Sequence, residues 1–177
     1  ELESSFGIIY RAGLATETLE NTRMLGGSVE ETEHHQIPLM AFIDQAAQAQ
    51  GLPNSHSKAF LADWWKQYIQ VSLVPLIELF ANKGISVEAH MQNSLMEFKQ
   101  GFPARLIIRD MEGISVVSEM LNDHSSVSED STVWFSQKDA WIFLQYYLVI
   151  NHIAHLISAI SRVSIIEESE LWQTTRQ

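Results

Sequence analysis

The chain has 177 residues, no cysteine and a formal net charge of −11, long enough for one domain burying roughly 70% of the surface its unfolded form exposes. The acidic balance argues against a nucleic-acid partner, whose phosphates call for a basic face, yet leaves room for an anionic ligand in a locally positive pocket. Without cysteine these residues hold no disulfide framework, thiolate zinc site or Cys-ligated iron–sulfur cluster.

Phe6 to Arg11 reads as a short strand, punctuated by Gly13. Residues 14–36, polar with Gly26-Gly27 and the acidic Glu30-Glu31-Thr32-Glu33, suggest a loop or mobile flap. Pro38 suits the start of a helix over Leu39–Gln50, which Gly51-Leu52-Pro53-Asn54 stops. Ser57 can cap the next helix, whose apolar set runs Phe60, Leu61, Trp64, Trp65, Tyr68, Val71 and Leu76. Pro75 should kink or break it, and Asn82-Lys83-Gly84 should end it.

After Gly84 the period changes. Ile85 to His90 alternates, placing Ile85, Val87 and Ala89 on one face and Ser86, Glu88 and His90 on the other, with Gln92 continuing the polar face. Ser94–Phe98 is a second extended segment, Lys99 to Pro103 a turn, and Arg105–Arg109 the returning arm of a hairpin. That hairpin folds Asp110 back toward Asn93, and Met111-Glu112-Gly113 releases the chain. Residues 122–132 read as an exposed Ser-rich loop, and a terminal helix covers Glu167–Gln173. The sum is an α+β fold, a small antiparallel sheet or hairpin lining a cleft and packed against several long helices, in a single domain over residues 1–177.

Trp141 to Ile160 is twenty residues without a formal charge, the length of a membrane span. Gln145, Asn151, His152 and His155 would each need a partner in hydrocarbon, and the flanks carry no strong positive bias. A core helix, apolar nearly all round, is the simpler reading. His152 and His155 then read as satisfied core histidines, Trp64-Trp65 and Tyr146-Tyr147 as packing aromatics, and His34-His35 as part of a solvated flap.

The residues that carry chemistry are Glu88-Ala89-His90-Met91-Gln92-Asn93, answered by Arg109-Asp110. Hard oxygen donors and an imidazole at strand ends suit Mg²⁺ bound to a nucleoside triphosphate. Glu-x-His-x-Gln-Asn followed by Arg-Asp, with Asp110 falling 110 − 93 = 17 positions after Asn93, resembles the NRPS-independent siderophore synthetases of the aerobactin-synthetase type. Weaker echoes at Tyr10-Arg11, Trp64-Trp65 and Asn151-His152 extend the resemblance over most of the chain.

That resemblance implies an ATP- and Mg²⁺-dependent ligase, which adenylates a carboxylate of citrate or a related acid and then passes it to an amine or hydroxyl. It implies metal ligation by Asn93, Asp110 and Glu88, nucleotide contacts from His90, Gln92 and Asn93, and catalytic roles for His90 and Arg109. Family members are several hundred residues long, and the Ser/Thr-rich triphosphate segment of their first half has no counterpart here. The chain is therefore read as a C-terminal portion that needs the N-terminal half of the same enzyme, in the cytoplasm, a candidate homodimer, with neither nucleic acid nor membrane as partner. Two rivals are a non-catalytic module binding a carboxylate, a siderophore or a protein, and a phosphotransferase using the same Asn/Asp pair. Arg11 could reach the site from the first strand.

Overall fold

Three antiparallel strands form the main sheet of the computed structural model, which describes residues 18, 20–52, 57–121, 127–128 and 130–177. The expected strand Phe6–Arg11, and Arg11 with it, lies outside these residues, as do Pro53-Asn54 and residues 122–126 and 129. Strand β1 (Thr22–Met24) pairs with β3 (Ser94–Lys99), and β3 pairs with β4 (Phe102–Ile108). The hairpin turn carries positive φ at Gln100 (50°) and Gly101 (80°), as a two-residue turn matched to strand twist requires. Between Glu97 and Phe98 the register shifts so that Phe98 faces Pro103, and the proline, with no N–H to give a ladder, falls at that irregularity.

Gly101 also shows how closely a helix packs here. A Cβ at this position would lie 2.2 Å from the Phe42 carbonyl oxygen and 2.4 Å from the Ala46 nitrogen. Gly101→Ala is therefore expected to cost about 3 kcal/mol or more, from backbone overlap and strained φ together. Equilibrium urea unfolding measures it; an unchanged midpoint would show that the turn yields freely.

Helices pack around this sheet. The first, α2 (Leu39–Ala49), follows a single helical turn, α1 (Leu25–Ser28). The loop expected over residues 14–36 is thus replaced in part by β1 and α1, because Leu25 is fully buried and Thr22 edges β3. Helix α3 (Lys58–Val71) begins where Ser57 accepts the Phe60 N–H, as its sequence indicates. It ends before Ser72, and α4 (Leu73–Lys83) follows. The break falls three residues ahead of Pro75 because a proline clashes with the carbonyl four residues back, here Val71, and tolerates only a helix's first turn. Gly84, at φ 67°, caps α4 in the left-handed conformation.

The longest helix, α5 (Gln137–Val163), winds as a π-helix over its middle, Gln145–Ala154. It meets the length and composition of a membrane span, but Leu144, Leu148, His152, Ile153, Leu156 and Ile157 are all buried in the protein core. It is not buried all round as expected: Ile142, Tyr146 and Ile150 stand about half exposed on the opposite side. The final helix α6 (Glu168–Thr175) opens with a reciprocal capping box between Glu167 and Glu170. Trp65 joins it to α3, its indole N–H donating to the Leu171 carbonyl at 3.2 Å and the Thr175 hydroxyl at 2.9 Å. Trp64 and Trp65 are thus core residues, as expected.

Candidate functional site

Ile85 to His90 does not run as one strand. Only β2 (Ile85–Ser86) pairs, with β5 (Ser115–Val116), before the Ala89 N–H turns back onto the Val87 carbonyl at 2.9 Å. That three-residue turn lifts the segment out of the sheet. The side-chain alternation survives it: Val87, Ala89 and Met91 are buried, while Glu88, His90 and Gln92 face outward. At the head of the segment the assignment inverts, with Ser86 buried and Ile85 only partly so.

Outside any sheet, this segment hangs from three anchors. The Met91 N–H donates to the Asn151 carbonyl of α5 at 3.3 Å, and the Met91 carbonyl accepts the Gly26 N–H of α1 at 3.1 Å. Third, His152 Nδ1 donates to the Ala89 carbonyl at 2.7 Å, and its Nε2 meets the Tyr68 hydroxyl. Because a carbonyl can only accept, the proton sits on Nδ1 and Tyr68 donates to Nε2. Burial pushes the His152 pKa down to about 4 against the opposing pull of the Ala89 carbonyl, and holds the Tyr68 pKa well above its usual value. His152 is accordingly the satisfied core histidine its sequence context suggests. His155 is not: it is exposed and faces a cavity.

That cavity, about 530 Å³, is walled by His90, Met91 and Gln92 on one side and by Tyr146, Tyr147, Asn151 and His155 of α5 on the other. Its volume lies in the range of small-molecule sites. Tyr146 and Tyr147, expected only to pack, are lining residues, and Tyr146 is half exposed. The available signal was their spacing: positions 147, 151 and 155 recur every four residues along one helix.

The hairpin does bring the two halves of the motif together. Asn93 lies opposite Arg109, whose N–H donates to its carbonyl at 2.9 Å, so Asp110 begins the chain just beyond. The Asp110 carboxylate accepts the Glu112 N–H at 3.2 Å, and the Arg109 side chain is exposed. Glu88 goes elsewhere. It lines a second cavity of about 160 Å³, on the far side of Tyr147, whereas neither cavity is lined by Asn93 or Asp110. The neighbouring Glu88 carboxylate raises the Tyr147 pKa above its usual value.

Among the described residues no three His, Asp or Glu side chains gather as a metal cage. One carboxylate with one amide oxygen, Asp110 with Asn93, nevertheless fits Mg²⁺ carried on a triphosphate, since that ion usually takes one or two protein carboxylates and completes its shell with phosphates and water. His34 and His35 lie in the exposed turn before α2, where His35 pairs with Glu31 at 2.6 Å, far in character from a buried site.

A family model described as ferric iron reductase FhuF-like transporter matches residues 62–177, from within α3 to the end of the chain. The chain belongs to the FhuF-like family. This FhuF-like chain is 40% identical over 114 residues to an L-2,3-diaminopropanoate–citrate ligase of Staphylococcus aureus, covering 62% of itself and 20% of that protein. It is 26% identical over 175 residues to a spermidine–citrate ligase of Bacillus anthracis, covering 96% of itself and 29% of the relative. The chain therefore spans between a fifth and three-tenths of these relatives' lengths. Its fold is shared with ATP-bound aerobactin synthetase IucA from a hypervirulent pathotype of Klebsiella pneumoniae, with a TM-score of 0.78 at 21% identity over 88% of this chain and 28% of that one. The resemblance to siderophore synthetases read from the motif holds, and so does the α+β fold.

Proposed function

We propose that this chain is the C-terminal portion of a cytoplasmic siderophore synthetase, a ligase that adenylates a citrate-like carboxylic acid with ATP and transfers it to an amine or hydroxyl. The observation that carries the reading is the hairpin end: it sets Asn93 beside Arg109-Asp110, while His90 and Gln92 from the same segment line the larger cavity. In this reading Asn93 and Asp110 hold Mg²⁺, which neutralises charge on the phosphate oxygens when bound. Glu88, expected to join them, is assigned no metal role in this reading, because it lines the other cavity beside Tyr147.

Adenylation forms a bond from a carboxylate oxygen to the α-phosphorus and breaks the bond to the bridging oxygen, so pyrophosphate leaves. The amine or hydroxyl then attacks the acyl carbon, and AMP departs with the electron pair of the broken C–O bond. His90 donates to a phosphate or to the acid's carboxylate, Gln92 binds the nucleotide, and Arg109 supports the phosphates. Little covalent work falls to these side chains; positioning and charge stabilisation carry the rate. The N-terminal half of the enzyme supplies the remaining triphosphate contacts.

Pyrophosphate release from ATP by the full-length protein, with Mg²⁺, citrate and hydroxylamine as surrogate nucleophile, tests the reading. Citrate-dependent release is expected. A phosphorylated product without pyrophosphate would identify a phosphotransferase, and absence of nucleotide binding would identify a binding module.

A further inference from the structure

We infer that Asn151 and His152, consecutive residues in the wide turns of α5, form a positioning clamp that fixes where His90 presents its imidazole to the larger cavity. The kinetic part of this inference rests on the ligase reading; the clamp itself stands on geometry. His90 sits between two main-chain bonds to α5. Before it, the Ala89 carbonyl accepts the His152 Nδ1–H at 2.7 Å; after it, the Met91 N–H donates to the Asn151 carbonyl at 3.3 Å. Ala89 and Met91 are buried, so water does not compete for either bond. Between them the His90 ring lies 5.8 Å from that of Tyr147, a third residue of the same helix. Strand β2 ends at Ser86 and β3 begins at Ser94, so no ladder holds His90. Its place depends on these contacts and on the Gly26 bond to the Met91 carbonyl.

The π winding explains how one helix supplies both anchors. A carbonyl inside an α-helix is ordinarily taken by the N–H four residues on. Here the His155 N–H goes to the His152 carbonyl instead, and the Asn151 carbonyl takes a donor from outside the helix. Side-chain directions change as well. At about 100° per residue, an α-helix sets positions 147 and 152 about 140° apart, whereas turns closed between i and i+5 bring them toward one face. Tyr147, Asn151 and His152 all fall within Gln145–Ala154, and such wide turns occur frequently at functional sites.

Core filling alone does not account for His152. A leucine or phenylalanine fills a dry interior without partners, whereas a buried imidazole must satisfy both ring nitrogens. One of them is taken by Tyr68, itself fully buried and stacked on Trp65 at 5.2 Å, which ties the ring to α3. With the ring held from that side, its Nδ1–H is aimed at the Ala89 carbonyl. Tyr68 therefore acts through His152, and His152 through Ala89. Neither side chain lines the larger cavity, so both are positioning residues for His90 rather than groups that meet substrate.

The test uses the full-length protein and reads hydrogen–deuterium exchange over residues 88–93, where the Ala89, Met91 and Asn93 amides are hydrogen-bonded, beside citrate-dependent pyrophosphate release. His152→Phe is expected to speed that exchange about tenfold, because the segment loses a buried anchor. It should lower kcat about tenfold with KM for ATP within about twofold, since a displaced donor weakens the transition state more than ground-state binding. His152→Asn, which keeps an N–H for the Ala89 carbonyl, should recover part of both. Leu171→Ala serves as the control, because it truncates a fully buried side chain of α6 and lowers stability without touching the clamp. Exchange over 88–93 and turnover per folded molecule should there match the wild type. Equal exchange over 88–93 in His152→Phe and wild type, or in His152→Phe and Leu171→Ala, would overturn the clamp. If His152→Phe does not fold, Tyr68→Phe decides: losing the hydroxyl that orients the ring should speed exchange about threefold, and a wild-type rate would overturn the clamp. Faster exchange in variants of a protein that releases no pyrophosphate with any acid would keep the clamp and sink the ligase reading instead.

Discussion

Asp110→Asn in the full-length protein is expected, on the ligase reading, to lower citrate-dependent pyrophosphate release about a hundredfold or more, with the thermal midpoint almost unmoved. Asp110 is half-buried at the open end of the hairpin, and its one hydrogen bond among the described residues comes from the Glu112 backbone. An amide keeps that acceptor and the shape but removes the negative charge. If Asp110 and Asn93 share Mg²⁺ on the triphosphate, the loss is worth about 3 kcal/mol in the transition state, which is about a factor of a hundred. Asn93→Ala should match it in turnover, since its carbonyl still receives the Arg109 N–H and the ladder is preserved. Steady-state kinetics at saturating ATP across a Mg²⁺ series would check both. Undiminished turnover in the pair of variants would refute the metal assignment.

His152→Phe should act through stability and geometry together. It strips a donor from the Ala89 carbonyl and an acceptor from the Tyr68 hydroxyl, both deep in the core. Each buried group left without a partner costs about 1–3 kcal/mol, so a total of about 3 kcal/mol is expected. Because Ala89 precedes His90, turnover should fall as well, and His152→Asn, which retains a donor, should recover part of both.

The same residue shapes the pH response. Its folded pKa, about 4, lies below the unfolded value near 6.5. The unfolded chain therefore binds the extra proton first, and stability from this group is intact above pH 6.5 and lost as pH falls toward 4. That gap corresponds to roughly 3 kcal/mol. Urea midpoints measured between pH 7 and 4 should drop steeply for the wild type and more gently for His152→Phe. Parallel curves would mean that His152 does not govern the acid limb.

Local signals in the sequence located most elements, because they need only neighbours: the Ser57 cap, the Gly84 stop, the Gln100-Gly101 turn and the hairpin that follows from two apolar runs around it. The motif residues were visible for another reason, as residue types at a matched spacing. What stayed hidden depends on partners distant in sequence. Thr22–Met24 looks like loop until β3 offers it an edge. Glu88 shares a polar face with His90 on paper, yet the turn at Val87–Ala89 sends the two to different cavities. Burial likewise split a histidine pair, His152 and His155, that composition treats alike. Nothing in the composition of Gln145–Ala154 announces π winding, which is a property of hydrogen-bond register rather than of residue preference.

That winding ties the cavity wall to the core through a single count of residues. Each residue removed from an α-helix turns everything beyond it by about 100°. Shortening the wide turns of α5 by one residue would force a choice between two halves of the molecule. Either Leu156, Ile157 and Ile160 keep their places inside and Tyr147 and Asn151 swing off the cavity, or the reverse. A regularised α5 could gain stability as a helix only by unfacing one of its two clients, so the length of this helix is set by the site as much as by the fold.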